Sequence, residues 1–241
     1  MIQVEIWTDI ICPWCGLGRH RLAAALERFG HAGEIELRQR SFQLDENAPA
    51  GPPMTVRRML SETKGLTNAQ IDQIGARIES LARSEGLNPY VVLDNRVANT
   101  SLAHELAAWA TDLGQGQVVW QALYDAYFRE ARSVFGVDAL VELAVEVGLD
   151  PDEARKVLIS RSYSNRIREE ARQARELGAK GVPFVVIDRR FAVSGAQSVD
   201  RFLEVLEAAR RARLGADSAH PPAKTPTSTA KATACDARTS S

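Results

Sequence analysis

The sequence predicts an α/β protein in which a β-α-β unit at the front and a β-β-α unit at the back form one four-stranded mixed sheet, with a large all-helical insertion between them. Three observations carry this. Apolar residues alternate along residues 2–8 and again from Ile35, on either side of a helical pattern. From about residue 54 to Gly178 nearly every apolar residue falls at helical spacing. A β-branched run then returns at Val182-Pro183-Phe184-Val185-Val186-Ile187.

In the first strand Ile2, Val4 and Ile6 point one way and Gln3, Glu5 and Trp7 the other. The next helix carries Leu22, Ala25, Leu26 and Phe29, and Gly30 and Gly33 end it. A second strand runs from Ile35 to about Phe42, and a connection through one helix makes the two strands parallel. Asp45 to Pro53 is turn chemistry. Beyond it Ile71, Ile74, Ile78 and Leu81 form one apolar stripe, and Leu102, Leu106, Trp109 and Leu113 a second. Val119, Leu123 and Tyr127 mark a further helix, and Leu140, Leu143, Ala144 and Val147 another. Asp150-Pro151-Asp152 is a cap and first turn, and a last long helix from about Ser164 closes at Gly178. Asp188-Arg189-Arg190 turns the chain into a fourth strand at Phe191-Ala192-Val193. Ser194 to Ser198 leads into a helix with Val199, Phe202, Leu203 and Leu206. From about Leu214 the composition collapses to Ala, Pro, Ser, Thr and Lys, too poor in apolar surface to order itself.

Composition narrows the function. The 241 residues are 45% hydrophobic and 25% charged, with a formal net charge of −1, so no bulk electrostatic attraction draws the chain to nucleic acid or to an anionic membrane. No apolar run approaches the ~18 residues of a membrane span. A strand begins at Ile2 with no basic and apolar leader before it, and three cysteines do not make a disulfide framework. The expectation is a cytoplasmic protein.

The chemistry lies between the first strand and its helix, at Cys12-Pro13-Trp14-Cys15. Strand, Cys-x-x-Cys, then helix is the order of a thioredoxin-like dithiol site. A cysteine at the mouth of a helix sits among unpaired N–H groups at the positive end of the helix dipole, surroundings that favour thiolate. The second cysteine falls one turn on, close enough to close a disulfide. Pro13 suits an early helical position, where its missing N–H has no partner to lose. A structural zinc site would want four ligands. The remaining cysteine, Cys235, lies in the tail, and the four histidines fall at no metal-ligand spacing, so no metal is expected.

With these residues in place, the chain resembles the DsbA family of thioredoxin-fold oxidoreductases, and within it the FrnE-like branch of polyketide-biosynthesis-type dithiol–disulfide isomerases. The match runs through Asp9 to Cys15 and Gly18, Asn99-Thr100, Ala103-His104, Ala126-Tyr127-Phe128, Gly181-Val182-Pro183-Phe184 and Ser194-Gly195-Ala196-Gln197. It implies a discontinuous thioredoxin-like domain of residues 1–45 and 179–213 and a helical insertion with its connecting helix at 46–178; the tail at 214–241 lies outside it and is expected from its composition to be disordered. It also implies a cis Pro183 facing the sulfurs, with the Val182 backbone free to pair with an extended substrate.

The expected reaction is thiol–disulfide exchange, with Cys12 the exposed attacking sulfur and Cys15 resolving the mixed disulfide. Pro13, Trp14, Val182 and Pro183 form the active-site wall and substrate-binding surface, Trp14 facing substrate. Asp9 is a candidate proton carrier for Cys15, or a polar residue at a strand–loop junction. His104 reads as a satisfied packing histidine before a catalytic one, Tyr127 and Phe128 as core or cleft-lining aromatics, and Arg19 and Arg21 as a solvated face before a pair that steers an anionic substrate. The expected partners are thiol- or disulfide-bearing proteins, peptides or small thiols, with no bound cofactor and with glutathione or a cellular dithiol as redox partner.

Two other functions use the same residues. A glutathione-dependent enzyme of the kappa-class transferase or hydroxychromene-carboxylate isomerase type would bind thiol and anion through Gly195, Ala196, Gln197 and Ser198 at a helix start. Such enzymes carry serine where Cys12 stands, and both cysteines are present here. A chaperone-like peptide-binding module would need neither sulfur.

Overall fold

The computed structural model describes residues 1–48 and 53–218. Strand β1 (Ile2–Thr8) runs into helix α1 (Pro13–Phe29), and a 3-10 turn at Ala32–Glu34 leads to β2 (Ile35–Ser41). The chain then leaves the sheet through β3 (Met54–Thr55), α2 (Val56–Lys64), α3 (Asn68–Ser84) and β4 (Arg96–Val97). Helices α4 (Ser101–Asp112), α5 (Gly116–Tyr124), α6 (Val137–Glu146), α7 (Pro151–Ser160) and α8 (Ser164–Glu176) follow. It returns as β5 (Phe184–Ile187) and β6 (Phe191–Ser194) and ends in α9 (Val199–Ser218).

The main sheet has the order β2-β1-β5-β6. β1 and β2 are parallel from Ile2–Ile35 to Thr8–Ser41, while β5 is antiparallel to both β1 and β6. The first and last strands in sequence thus lie side by side, and this is the expected α/β fold. Local chemistry places the ends. Gly30 ends α1 in the left-handed conformation, the Asp150 carboxylate accepts from Glu153 N–H at the start of α7, and Thr67 with Gln70 forms a capping box on α3.

Both faces of the sheet are covered. Ile2, Val4, Ile6, Val185 and Ile187 pack against Leu22 and Phe29 of α1 and Phe202 and Leu206 of α9. On the other face Trp7, Phe184 and Val186 pack against Ala171 and Ala174 of α8, and the Trp7 indole N–H donates to the Glu170 carbonyl. Glu5 alternates onto this second face, where it is buried but paired with Arg40, which also binds Glu170. The third and largest apolar cluster belongs to the helices and takes in Ile10, Cys12, Cys15 and Leu17 at the end of β1 and the start of α1.

The helical stretch departs from its sequence reading in four places. A two-stranded ladder, Met54–Val97 and Thr55–Arg96, closes the segment that holds α2 and α3; two residues per strand are too few for an alternating pattern to show. In the predicted stripes Ile74 is 40% exposed and Leu113 51% exposed. α4 instead buries every residue from Ala103 to Ala110, because it packs on α5, α6, α7, α8 and β2 together. After α5 the chain makes a π turn at Asp125–Arg129, which puts Ala126, Tyr127 and Phe128 all inside. At the end, α9 continues through Ser218, past the expected helix limit near residue 213. The rest of the predicted tail, with Cys235, lies outside the described residues. Among the described residues no helix is long and apolar enough to cross a membrane.

Candidate dithiol site

Cys12 is the N-cap of α1, with extended backbone (φ −80, ψ 113), and Pro13 is the first helical residue. The Cys12 carbonyl accepts from Cys15 N–H at 2.9 Å and Gly16 N–H at 3.3 Å, so the helix starts at the first cysteine and the second stands one turn inside. Both are free thiols. The expectation of an exposed Cys12 is corrected: it is only 5% accessible. The reason is tertiary, since the segment before β5 lies over it and the Cys12 thiol donates to the Val182 carbonyl at 3.7 Å. Trp14 points the other way and is 37% exposed at the rim.

Cys15 is fully buried. Burial pushes its thiol well up, and the hydrogen bond and charge of the neighbouring Cys12 sulfur add to this. Its ionisation therefore depends on what surrounds it.

The Val182–Pro183 bond is cis. Pro183 sits against α1 so closely that a Cβ at Gly18 would come 2.7 Å from Pro183 Cγ. The Pro183 carbonyl accepts from Gly195 N–H at 2.8 Å, which ties the turn after β6 to the same wall. Of the four residues expected to bind thiol or anion, Gly195 and Ala196 reach this wall. Gln197 donates to the Ser194 carbonyl, and the Ser198 hydroxyl caps α9 by accepting from Arg201 N–H.

Asp9 is more than a polar residue at a strand end. Its side chain is buried, with Oδ2 accepting from Leu44 N–H at 2.7 Å and Oδ1 3.2 Å from His104 Nε2. Its carbonyl accepts from the Tyr124 hydroxyl at 2.9 Å. His104 packs edge-on against Trp120, as a core histidine should, but it is not satisfied, because Nδ1 has no partner among the described residues. The contact with Asp9 is therefore the one polar contact of its imidazole among the described residues.

An aromatic wall supports the first turn of α1. Tyr90 donates its hydroxyl to the Pro13 carbonyl at 2.6 Å and stacks on Phe128 at 4.6 Å, and Tyr124 stacks on the same ring. Burial pushes both phenols well up, so they stay neutral donors. Gly16 is needed here, because a Cβ would fall on the Tyr90 hydroxyl. Tyr127 donates to the Arg96 carbonyl and is core.

The solvated-face reading of Arg19 and Arg21 is corrected too. Arg21 makes a bidentate pair with Glu85 and donates to the Ala196 carbonyl. Arg19 lies over the Tyr124 ring at 4.7 Å and donates to Gln39 Oε1 at 2.9 Å. The helical insertion supplies Glu85, Gln121 and Tyr124, and so covers the face that α1 alone would leave to water. A cleft of about 140 Å³ opens beside Gly16, Arg19, Tyr90 and Tyr124, while a larger one of about 520 Å³ near Asn99 and Arg161 contains neither cysteine. Among the described residues no three His, Cys, Asp or Glu side chains could hold a metal ion together. Tyr90, Tyr124 and Gln39 were not visible as site residues in the sequence, since no local spacing marks a contact made 20 to 115 positions away.

Solved structures share this architecture. The probable DsbA oxidoreductase SCO1869 of Streptomyces coelicolor is 36% identical, covering 98% of this chain and 97% of that one, with a TM-score of 0.84. A 2-hydroxychromene-2-carboxylate isomerase is 18% identical over 90% of this chain and 100% of its own, with a TM-score of 0.65. The cytosolic disulfide reductase DsbM of Pseudomonas aeruginosa, solved with GSH, is 19% identical over 87% and 99% respectively, with a TM-score of 0.59. The model of the DSBA-like thioredoxin domain matches residues 3–207, and the chain, with its dithiol at the mouth of α1 and its four-stranded mixed sheet, belongs to that family.

Proposed function

We propose that this protein exchanges dithiol and disulfide through Cys12-Pro13-Trp14-Cys15. The observation that carries the reading is the pair of free thiols at the start of α1, in contact with one another and faced by Val182 and Pro183. In the reducing direction the Cys12 thiolate attacks a substrate disulfide and one substrate sulfur leaves as thiolate. Cys15, having given up its proton, then attacks the Cys12 sulfur, the bond to the substrate breaks, and the second substrate sulfur leaves reduced. Two electrons pass from the enzyme dithiol to the substrate, and an enzyme disulfide remains. Run backwards, the same steps oxidise a dithiol.

Asp9 is the proton acceptor for Cys15 in this scheme, because it is the carboxylate next to that sulfur. Val182 offers its backbone to an extended substrate. Its carbonyl is held by the Cys12 thiol, and forming the mixed disulfide removes that donor and frees the carbonyl for a substrate N–H. Trp14, at the rim, contacts the substrate, and its replacement by Ala lowers turnover of peptide disulfides. Glutathione is a fitting small-thiol partner, in line with the DsbM structure holding GSH. A cytoplasmic setting, which that cytosolic relative supports, makes reduction or isomerisation the working direction.

Equilibrium titration of the protein against glutathione, read by alkylation and intact mass, tests the proposal. A Cys12–Cys15 disulfide that forms and opens reversibly supports it; a pair that never closes sinks it. Glutathione held on Cys12 alone would favour the second reading, a glutathione-dependent isomerase or transferase, which the fold shared with the hydroxychromene-carboxylate isomerase keeps in view.

A further inference from the structure

The half-buried cation beneath the site has no carboxylate of its own. Arg19 donates through Nε to Gln39 Oε1 and through Nη1 to Gln121 Oε1, and its guanidinium lies over the Tyr124 ring. All three partners are neutral. Among the described residues no carboxylate is within ion-pair distance of Arg19; the nearby Asp125 is occupied by Gln121 Nε2 and by Arg129. Drawing a guanidinium part of the way out of water without a counter-ion is costly, and charges so placed are ordinarily paired. A cation left this way has its field available to whatever anion forms beside it.

The group beside it is Cys15. Arg19 follows Cys15 by four positions on α1, which sets the two side chains on one face, with Cβ atoms about 5–6 Å apart. Cys12 and Asp9 act on Cys15, and the charge of Cys15 in turn reaches Tyr90, Tyr124 and Arg19. Cys12 and Asp9 become negative on ionising and oppose a second negative charge, and the two phenols stay neutral. Arg19 is the one cation of the set. Burial pushes its guanidinium down, and the acidic groups around it, Asp125 and Cys15 among them, pull it back up.

We propose that Arg19 is the positioning residue that holds the resolving thiolate of Cys15, with Gln39, Gln121 and the Tyr124 ring fixing it in place without neutralising it. This rests on the dithiol reading above. Cys15 is a thiolate twice in the cycle: as nucleophile when it attacks the Cys12 mixed disulfide, and as leaving group when an external thiolate attacks Cys12 and opens the enzyme disulfide. Arg19 stabilises both, so it speeds resolution and reopening together.

The test is resolution of the Cys12–glutathione mixed disulfide in a C235S background, followed by acid quench and intact mass across pH. In this step Cys15 sulfur bonds to Cys12 sulfur and glutathione leaves as thiolate. For Arg19→Gln the rise of rate with pH moves up by about one pH unit, roughly tenfold slower at a fixed pH below it, since one pKa unit is tenfold in thiolate. Arg19→Lys, which keeps the charge, restores most of the rate. An unmoved pH profile in R19Q overturns the proposal, as does R19K behaving like R19Q. If R19Q does not fold, R19M, whose unbranched apolar end suits a half-buried site, carries the comparison. Failure of the underlying reading shows separately, as a parent protein with intact Arg19 that never resolves the mixed disulfide.

Discussion

Oδ1 of Asp9 and Nε2 of His104 meet at 3.2 Å in a site where neither side chain reaches water. They come from the end of β1 and the first turn of α4, 95 residues apart, and the second imidazole nitrogen has no partner among the described residues. With Leu44 N–H on the other oxygen, the imidazole fixes the orientation of the Asp9 carboxylate.

Replacing Asp9 by Asn keeps the shape and removes the proton acceptor. Resolution of a Cys12 mixed disulfide should slow on the order of a hundredfold, the usual scale for losing a positioned acid–base group. Quenched-flow mass analysis with oxidised glutathione measures it. His104→Ala leaves one buried Asp9 oxygen short of its donor, with a stability loss of about 1–3 kcal/mol in urea unfolding.

Cys15→Ser should trap the first half of the exchange. Incubated with oxidised glutathione, it accumulates a stable adduct on Cys12, whereas Cys12→Ser accumulates none in this motif. Peptide mapping after alkylation separates Cys12 from Cys235. An adduct that clears from C15S as fast as from the parent protein would show that Cys15 does not resolve it.

Gly16 and Gly18 are close approaches. A methyl group on Gly18 meets the Pro183 ring, and one on Gly16 meets the Tyr90 hydroxyl that donates to the Pro13 carbonyl. Gly18→Ala and Gly16→Ala should each cost about 1–3 kcal/mol, the range for overpacking. G18A should also raise the exposure of Cys12 to alkylation, because the displaced wall includes Val182.

Stability should fall as the solution becomes basic. The Cys15 thiol is held up by burial in the folded state, so on raising pH the unfolded thiol ionises first, near its ordinary value of about 8.5. The unfolded chain then binds fewer protons than the folded one, and unfolding free energy decreases with pH from there toward the folded value. Tyr90 and Tyr124, also held up by burial, extend the loss above about pH 10. Urea midpoints should therefore drop more steeply between pH 8 and 10 for the reduced parent than for Cys15→Ala.

The order of elements, the dithiol at the mouth of α1 and the return of strand signal at Val182 were legible in the chain itself, because each is a local pattern: alternation, a 3.6-residue stripe, a cysteine spacing, a proline before a β-branched run. From these the strands' membership of one sheet follows by the rules of connection. The surroundings of the sulfurs were not legible. Cys12 is buried because the Val182 segment closes on it from 170 residues away, and Arg19 and Arg21 are half-buried because Gln121, Tyr124 and Glu85 arrive from the helical insertion. His104 looked like packing because its spacing along α4 reports a buried helix face, and spacing cannot report that Asp9 stands opposite. Burial, charge pairing and proton exchange depend on which distant groups converge, and only the packing of the insertion against the front of the chain decided that.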